Sequence, residues 1–163
     1  MTFEEFAATR MPAMLKFAAV LAGNQASAED LAQEVLVRAY SRWDRIGCLE
    51  RPEFYVRKMV LNEFLSWRRR SLRQIPAGGA AEESASRAPD HAHVYAERQA
   101  LLGELGKLPR RQRAVLVLRY YEDRDDAEIA ELLGCTPGTV RGYASRALAA
   151  LRIEMAPRPR AHA

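Results

Sequence analysis

Cysteine and histidine are scarce in this sequence, which limits the metal and redox chemistry it can support. The 163 residues include two cysteines, Cys48 and Cys135, and three histidines. Two cysteines so far apart form neither a disulfide framework nor a zinc-ligand pattern. His91 and His93 stand in a polar segment with no cysteine nearby, so we interpret them as solvated. We therefore expect no metal and no cofactor.

Long hydrophobic runs and catalytic motifs are also missing. No apolar stretch approaches the roughly 20 residues that span a bilayer. The first residues, MTFEE, do not form the basic and then apolar run of a secretory leader. We therefore expect a cytoplasmic protein without membrane insertion. A phosphate-binding loop of the form GxxxxGK[ST] is absent, as is a Ser-His-Asp set, so we do not expect an enzyme.

Apolar residues at helical spacing dominate what is present. Hydrophobic residues make up 48% of the chain, which is enough for a packed core, and the formal net charge is +4. This charge permits a nucleic-acid partner without requiring one. Because the apolar residues recur with a period near that of a helix, the sequence predicts an all-α protein.

The clearest pattern lies at residues 125–152, where two helical segments flank a tight break. Asp125, followed three residues later by a glutamate, suits a capping box at the start of the first helix. Gly134 is suited to end that helix in the left-handed conformation. Thr136 is positioned to cap the second helix, with Pro137 as its first residue. These features predict a helix-turn-helix.

The distribution of charge favours DNA binding by the second of these helices. Residues 136–153 contain Arg141, Arg146 and Arg152 and no acid, whereas residues 122–131 hold six acids and one arginine. A basic second helix on an acidic support suits the major groove of DNA. The alternative is an ordinary helical hairpin packed in a core.

Residues 28–42 form an amphipathic helical pattern, which Ser27 is positioned to cap. We expect its core stripe to comprise Ala28, Leu31, Ala32, Val35, Leu36, Ala39 and Tyr40. On the polar side, Glu34 and Arg38 have the spacing of an i, i+4 ion pair. Composition alone favours a solvated face, although Val37 among these polar residues fits a partner surface better.

Residues 53–72 form a second informative helical pattern, in which basic and aromatic residues alternate. Arg and Lys neutralise phosphates, and aromatic rings stack on unpaired bases. The alternative is a helix whose cationic end complements its own dipole. That alternative explains the arginines at 68–70, but it explains Arg57, Lys58 and Asn62 poorly.

Residues 73–95 are rich in Ala, Gly, Ser and Pro, which is the composition of a linker, and we expect them to be mobile in the free protein. We therefore predict two small helical domains, at residues 1–72 and 96–155. A flexible linker at 73–95 joins them, and a tail follows at 156–163.

Three motifs taken together resemble a small bacterial sigma factor of the extracytoplasmic-function type, and most closely the short actinobacterial members called the SigE family. In order, they are AEDLAQEVLVRAYSRWDRI, RPEFYVRKMVLNEFLSWRRR and LPRRQRAVLVLRYYEDRDDAEIAELLGCTPGTVRGYASRALAAL. The resemblance covers nearly all of residues 1–153. It implies a region 2 helical bundle and a region 4 helix-turn-helix that together act in transcription initiation without catalytic chemistry.

The resemblance implies several macromolecular partners. They are promoter DNA, the β′ clamp helices and β flap of core RNA polymerase, and an anti-sigma factor, since sigma factors of this type are commonly held by one. The polymerase-binding set that the family pattern implies is Asp30, Gln33, Glu34, Val37 and Arg38. For the polar side of the helix at residues 28–42, this resemblance therefore favours a polymerase-binding face over the solvated face that composition alone favours.

The resemblance also implies two sets of promoter contacts. In relatives, the loop matching Trp43 to Cys48 captures a base flipped out of the −10 element, which costs a few kcal/mol of stacking. The implied −10 set is Trp43, Asp44, Arg57, Lys58, Asn62, Trp67 and Arg68. The implied −35 set is Thr136, Thr139, Arg141, Tyr143 and Arg146. For Trp43 and Tyr143, a place in the core remains an alternative.

A competing hypothesis is a conventional DNA-binding regulator with an N-terminal dimerisation or sensor domain, since the helix-turn-helix alone allows it. Residues 28–70 distinguish the two hypotheses. A sensor domain has no need of a DxxQE face followed by a basic and aromatic helix.

Overall fold

The computed structural model describes residues 1–66 and 92–151, with the side chains of the second stretch described from residue 96. Every regular element within these residues is helical, which confirms the predicted all-α class. The contacts divide the chain into two compact units, Met1–Gly106 and Lys107–Ala163.

Some predicted features lie outside the described residues. They are Trp67 and Arg68 of the −10 set, most of the linker at 73–95, and the tail at 156–163. The division between Gly106 and Lys107 falls later than 96, where the sequence pattern begins the second domain. The predicted domain bounds therefore remain a prediction.

The first unit contains five helices among its described residues. They are α1 (Phe3–Ala22), α2 (Gln25–Ser41), α3 (Trp43–Ile46), α4 (Pro52–Ser66) and α5 (Ala92–Gly106). Helix α1 packs against α2 and α4, and α2 also packs against α4. The largest side chains at this contact are fully buried, namely Phe6, Phe17, Leu21, Leu31 and Leu61. This three-helix core orients α2 and α4, the helices that carry most of the predicted site residues of the unit.

Local capping sets the ends of α1 and α2. Thr2 and Glu5 form a capping box at the start of α1, and Gly23 ends it with a φ of 85°. The cap of α2 is Asn24, whose side-chain oxygen accepts a hydrogen bond from the backbone N–H of Ser27 at 2.8 Å. The prediction that Ser27 is the cap is therefore wrong. Ser27 is already the third residue of the helix and supplies the donor that Asn24 satisfies.

The predicted core stripe of α2 is confirmed for five buried residues, namely Ala28, Leu31, Ala32, Val35 and Ala39. It is wrong for Tyr40, which is 63% exposed. Tyr40 follows the buried Ala39, and one residue turns a side chain by about 100° around a helix of 3.6 residues per turn. Its ring instead meets the edge of Phe3, with the ring centroids 5.1 Å apart.

In the second unit, α6 (Arg110–Leu116) continues into a π-helical segment (Val117–Tyr121), and α7 (Asp126–Leu133) and α8 (Pro137–Leu151) follow. Helices α6 and α7 both pack against α8. The largest fully buried side chains of this unit are Val115, Leu118, Ile129 and Leu132. The chain is helical from Arg110 to Tyr121, and nothing in the periodicity of the sequence signals the π-helical end of this stretch.

The predicted helix-turn-helix is confirmed. The Asp125 carboxylate accepts a hydrogen bond from the backbone N–H of Glu128 at 2.8 Å, and the capping box is complete. Gly134 ends α7 with a φ of 68°. The Thr136 hydroxyl accepts from the backbone N–H of Thr139 at 3.2 Å, so that α8 begins capped.

We expect Gly134→Ala to lower the free energy of unfolding by about 1 kcal/mol, because a side chain disfavours the left-handed conformation. A Cβ at Gly134 would meet no atom within 4 Å, so the cost is backbone strain alone. Urea unfolding followed by circular dichroism measures it. Gly103→Ala is the matched control, because its Cβ also meets no atom within 4 Å and its φ is not positive. A Gly134→Ala protein as stable as the wild type would contradict this account.

Candidate nucleic-acid and protein interfaces

The five residues predicted to bind the polymerase lie on one face of α2, because their spacing follows the helical repeat. Asp30, Gln33 and Val37 are exposed, and Glu34 and Arg38 are half-buried. Val37 is 69% exposed, although it is a large apolar residue. Exposure of an apolar side chain to water is unfavourable, and its burial under a partner is favourable by a similar amount of free energy.

Tyr40 extends this face by one helical turn. It lies three residues after Val37, so that two large, exposed apolar side chains are neighbours on the surface of α2. Adjacent exposed apolar groups rimmed by polar residues are typical of interaction surfaces. Sequence periodicity missed Tyr40, because it assigned the residue to the core.

Arg38 connects this face to α4. It pairs with Glu34 on its own helix at 3.5 Å, which confirms the predicted i, i+4 pair. It also forms a hydrogen-bonded ion pair with Glu63 of α4, a residue that is only 8% exposed. A buried carboxylate needs a hydrogen-bonded partner to remain charged. Arg38 supplies that partner from 25 residues away in sequence, which no local pattern signals.

The short helix α3 and the start of α4 line an open cleft with a volume of about 600 Å³. It lies at the loop predicted to capture a flipped base. Its walls combine charged, apolar and aromatic groups from Arg42, Asp44, Arg45, Ile46, Leu49 and Tyr55. Of the two loop residues proposed from the sequence, Asp44 lines the cleft and Trp43 does not. The other lining residues were not identified from the sequence, because they converge only in the folded loop.

The side chain of Trp43 is engaged with α1 instead. Its indole N–H donates a hydrogen bond to the carbonyl oxygen of Met1 at 3.1 Å. Its ring packs against Phe3 and Phe6, with centroid separations of 5.4 and 4.8 Å. These contacts favour the alternative in which Trp43 belongs to the packing of the unit.

Three residues of the predicted −10 set lie on α4. Asn62 is exposed, whereas Arg57 and Lys58 are half-buried. The guanidinium of Arg57 lies over the ring of Phe17, 5.4 Å from its centroid. A cation held over an aromatic face is oriented as well as stabilised. Arg57 therefore presents an oriented charge beside Lys58 and the exposed Asn62.

The predicted −35 set lies along the first ten residues of α8 and at its cap. Thr136, Thr139, Arg141 and Arg146 are exposed, and Tyr143 is half-buried. The guanidinium of Arg146 lies 5.2 Å from the centroid of the Tyr143 ring. The hydroxyl oxygens of Thr136 and Thr139 are 3.0 Å apart. The cap and the first ten residues of α8 thus offer hydroxyl groups and two arginines, and the helix contains no acidic residue.

Two ion pairs stabilise the start of α7, which packs against α8. Arg119 of the π-helical segment bonds to Asp126 at the start of α7. Burial acts to lower the pKa of Arg119, but the hydrogen bond and charge of Asp126 raise it overall. Arg124 meets Glu128 at 3.4 Å. Both pairs place cations against the acidic first turn of α7.

Metal ligands and membrane spans were sought in the same residues. Within residues 1–66 and 96–151, His, Cys, Asp and Glu side chains form no group of three that could hold a metal ion. Among the helices described there, none has both the length and the apolar character needed to cross a bilayer. Cys48 is exposed, Cys135 is half-buried, and both are free thiols.

Two family profiles match this chain. Residues 7–74 match the family described as Sigma-70 region 2, and residues 98–151 match Sigma-70, region 4. Together these matches span most of the described residues and follow the order expected from the sequence motifs.

Curated relatives align over most of the chain. The RNA polymerase sigma-E factor of Streptomyces avermitilis is 37% identical over 154 residues, which cover 94% of this chain and 84% of the relative. The ECF RNA polymerase sigma factor SigL of Mycobacterium tuberculosis is 33% identical over 148 residues, covering 86% and 81% of the two chains.

A solved structure has a similar fold. It is the sigma factor RpoE of Bartonella quintana in complex with the anti-sigma factor NepR. Its TM-score with this chain is 0.68 at 26% identity, and the alignment covers 93% of this chain and 94% of the other.

We expect Arg38→Ala to lower the free energy of unfolding by about 1–3 kcal/mol, because it leaves the carboxylate of Glu63 buried without its partner. In a Glu63→Gln background, the same change should cost less by about 1 kcal/mol, as contacting residues couple. Urea unfolding of the four proteins in this cycle measures the coupling. Glu34→Gln is the control and should cost at most about 0.5 kcal/mol. Additive effects of Arg38→Ala and Glu63→Gln would contradict the pairing.

Proposed function

The chain belongs to the sigma-70 family as an extracytoplasmic-function sigma factor with regions 2 and 4, and from this premise we propose which surfaces perform each step of initiation. It is a transcription initiation factor that binds core RNA polymerase and promoter DNA. In our proposal, the face of α2 binds the polymerase, the cleft beside α3 and the adjacent face of α4 engage the −10 element, and α8 reads the −35 element.

The observation that supports this proposal best is the combination of an apolar and charged face on α2 with a helix-turn-helix in one chain. A conventional regulator with an N-terminal sensor or dimerisation domain would explain α8 but not α2. That alternative is not favoured, because residues 7–74 match region 2 over nearly the whole segment where such a domain would lie.

The α2 face has the composition of a protein interface. Val37 and Tyr40 provide an exposed apolar centre, and Asp30, Gln33 and Glu34 provide a polar rim. The β′ clamp helices of the polymerase are the partner proposed for this face. Burial of the apolar centre contributes affinity, and the charged groups beside it set orientation and association rate, so that a reversed charge there opposes binding.

The cleft beside α3 is suited to hold an extruded base. Removing a base from the duplex costs a few kcal/mol of stacking and pairing, which contacts in a pocket must offset. We assign hydrogen bonding with the base to Asp44, stacking to Tyr55, and phosphate contacts to Arg42 and Arg45. The unpaired strand would continue along Lys58, Asn62 and Arg57 of α4. Trp67 and Arg68 remain proposed members of this set.

Helix α8 is proposed to enter the major groove of the −35 element with its first ten residues. Thr136, Thr139, Arg141, Tyr143 and Arg146 form the proposed contact set. An arginine in this position binds guanine in a bidentate manner or neutralises a phosphate, and the two modes differ in sequence preference and salt dependence.

The remaining assignments follow from this role. We propose that residues 1–72 act as region 2 and residues 96–155 as region 4, joined by the linker at 73–95 and followed by a tail at 156–163. The protein would work in the cytoplasm without catalysis or a cofactor, because promoter melting here draws only on binding free energy. The β flap of the polymerase is the proposed partner of region 4.

An anti-sigma factor is a further proposed partner. The RpoE relative is bound to such a protein in its solved structure. The exposed apolar pair of Val37 and Tyr40 offers a surface that a regulator could cover in competition with polymerase. A pull-down from non-inducing cultures that recovers only polymerase subunits would count against this partner.

We expect the double substitution Gln33→Ala with Glu34→Lys to weaken binding to purified core polymerase by roughly thirtyfold, the scale of one interface hot spot of about 2 kcal/mol. Fluorescence anisotropy of labelled protein titrated with core polymerase measures it. Glu4→Lys is the control, since it makes the same change of charge at an exposed residue of α1. Equal affinity of the double variant and the wild type would refute the assignment of this face.

We expect Arg141→Ala and Arg146→Ala each to weaken −35 recognition by about 1–3 kcal/mol. Run-off transcription by the reconstituted holoenzyme from promoters with varied −35 bases measures this loss. Loss of preference at one base pair identifies a guanine contact, whereas a uniform loss with a shallower salt dependence identifies a phosphate contact. Arg98→Ala, at an exposed arginine of α5, is the control. The assignment fails if both α8 variants match that control.

A further inference from the structure

We propose that Trp43 and Gly47 are positioning residues for the base-binding cleft, and that the first turn of α1 holds them in place. This inference deepens the proposed function and depends on the cleft having that role. Trp43 would act without touching DNA, by fixing α3 from behind so that the wall of the cleft faces α4 in one arrangement.

The direction of the Trp43 side chain is the first observation. Arg42 and Asp44, its neighbours in sequence, both line the cleft, and Trp43 does not. Its ring lies against Phe3 and Phe6 of α1 on the other side of the short helix. If α3 were rotated by one residue, the indole would therefore face the cleft in place of Arg42 or Asp44.

The close contact between Trp43 and Gly47 is the second observation. A Cβ on Gly47 would lie 2.9 Å from the indole nitrogen, 3.1 Å from the carbonyl oxygen and 3.2 Å from Cε2 of Trp43. Real Cβ atoms essentially never come within 3.0 Å of another atom, so a larger residue must shift the indole or the backbone of α3. The φ of Gly47 is −63°, which any residue adopts, and space rather than backbone conformation is what requires glycine here.

The anchoring of the indole is the third observation. Its N–H donates to the carbonyl oxygen of Met1, and the next residue, Thr2, caps α1. The backbone N–H of Gly47 donates to the carbonyl oxygen of Trp43 at 2.8 Å, which closes the single turn of α3. A helix of four residues has little stability of its own. Its orientation therefore depends on these tertiary contacts.

A displaced indole should change which base the cleft prefers. Asp44 and Arg45 lie on α3, whereas Tyr55 lies on α4, so a shift of α3 alters the distance between the two walls. A base held between the walls responds to such a shift, because hydrogen bonds weaken steeply with distance and angle. Contacts with the −35 element should be unaffected.

The test uses holoenzyme reconstituted from core polymerase and the full chain, with a promoter library that has a fixed −35 element and a randomised −10 element. Each template carries a barcode downstream of the start site, and sequencing of the barcoded transcripts gives the base preference at each −10 position. The variants are Gly47→Ala and Trp43→Phe, and the latter removes the N–H donor but keeps an aromatic ring. The control is Gly103→Ala, whose Cβ meets no atom within 4 Å. Core affinity and thermal unfolding are measured for each protein.

We expect both variants to reduce the preference at the same one or two −10 positions by about tenfold, the scale of one mismatched base pair. Core affinity should stay within about twofold, and Gly103→Ala should keep the wild-type profile. In the double variant, Phe lacks the indole atoms that the new Cβ would meet. The −10 profile of the double variant should therefore resemble that of Trp43→Phe alone. It should differ less from the wild-type profile than the product of the two single effects predicts.

Unchanged −10 profiles in both variants would overturn the proposal, as would independent, multiplicative effects of the two substitutions. A variant that merely loses stability would lower transcript yield from all sequences equally and leave the profile unchanged, which also counts against positioning. A wild-type protein that shows no core-dependent transcription, or no −10 preference, would instead refute the proposed function itself.

Discussion

Burial of one stripe of α1 between α2 and α4 is the interaction on which the binding surfaces of the first unit depend. Phe17, Leu31 and Leu61 come from three different helices and are all inaccessible to solvent. Because each helix has its apolar stripe committed to this contact, the opposite stripes of α2 and α4 must face outward. The outward side of α2 nevertheless carries Val37 and Tyr40. Two large apolar groups left in water on a helix whose apolar stripe is otherwise buried favour a partner that removes them from water.

The second unit uses local rather than long-range interactions to place its DNA-facing helix. The left-handed residue Gly134 and the Thr136 cap set the turn within three residues. Packing of α8 against α6 and α7 then determines which side of it remains exposed. Asp126 and Glu128 of α7 pair with Arg119 and Arg124, so these two carboxylates do not compete with DNA for the arginines of α8.

The sequence predicted those features whose cause lies within a few residues. The capping box at Asp125, the turn at Gly134 and the ion pair of Glu34 with Arg38 belong to this class. Features that require distant segments to meet were missed, such as the pairing of Arg38 with Glu63 and the cleft residues Arg42 and Tyr55, although the family resemblance indicated the loop. Errors also occurred where two nearby residues satisfy the same rule. Asn24 rather than Ser27 caps α2, and Tyr40 lies one residue beyond the buried stripe.

The ring of Phe3 contacts both Tyr40, on the α2 face, and Trp43, behind the cleft. One side chain thus borders two surfaces assigned to different partners. If a protein bound at Tyr40 shifts that ring, the two binding equilibria become thermodynamically linked. Linkage is reciprocal, so promoter DNA in the cleft would then change the affinity for that protein by the same factor by which the protein changes the affinity for DNA.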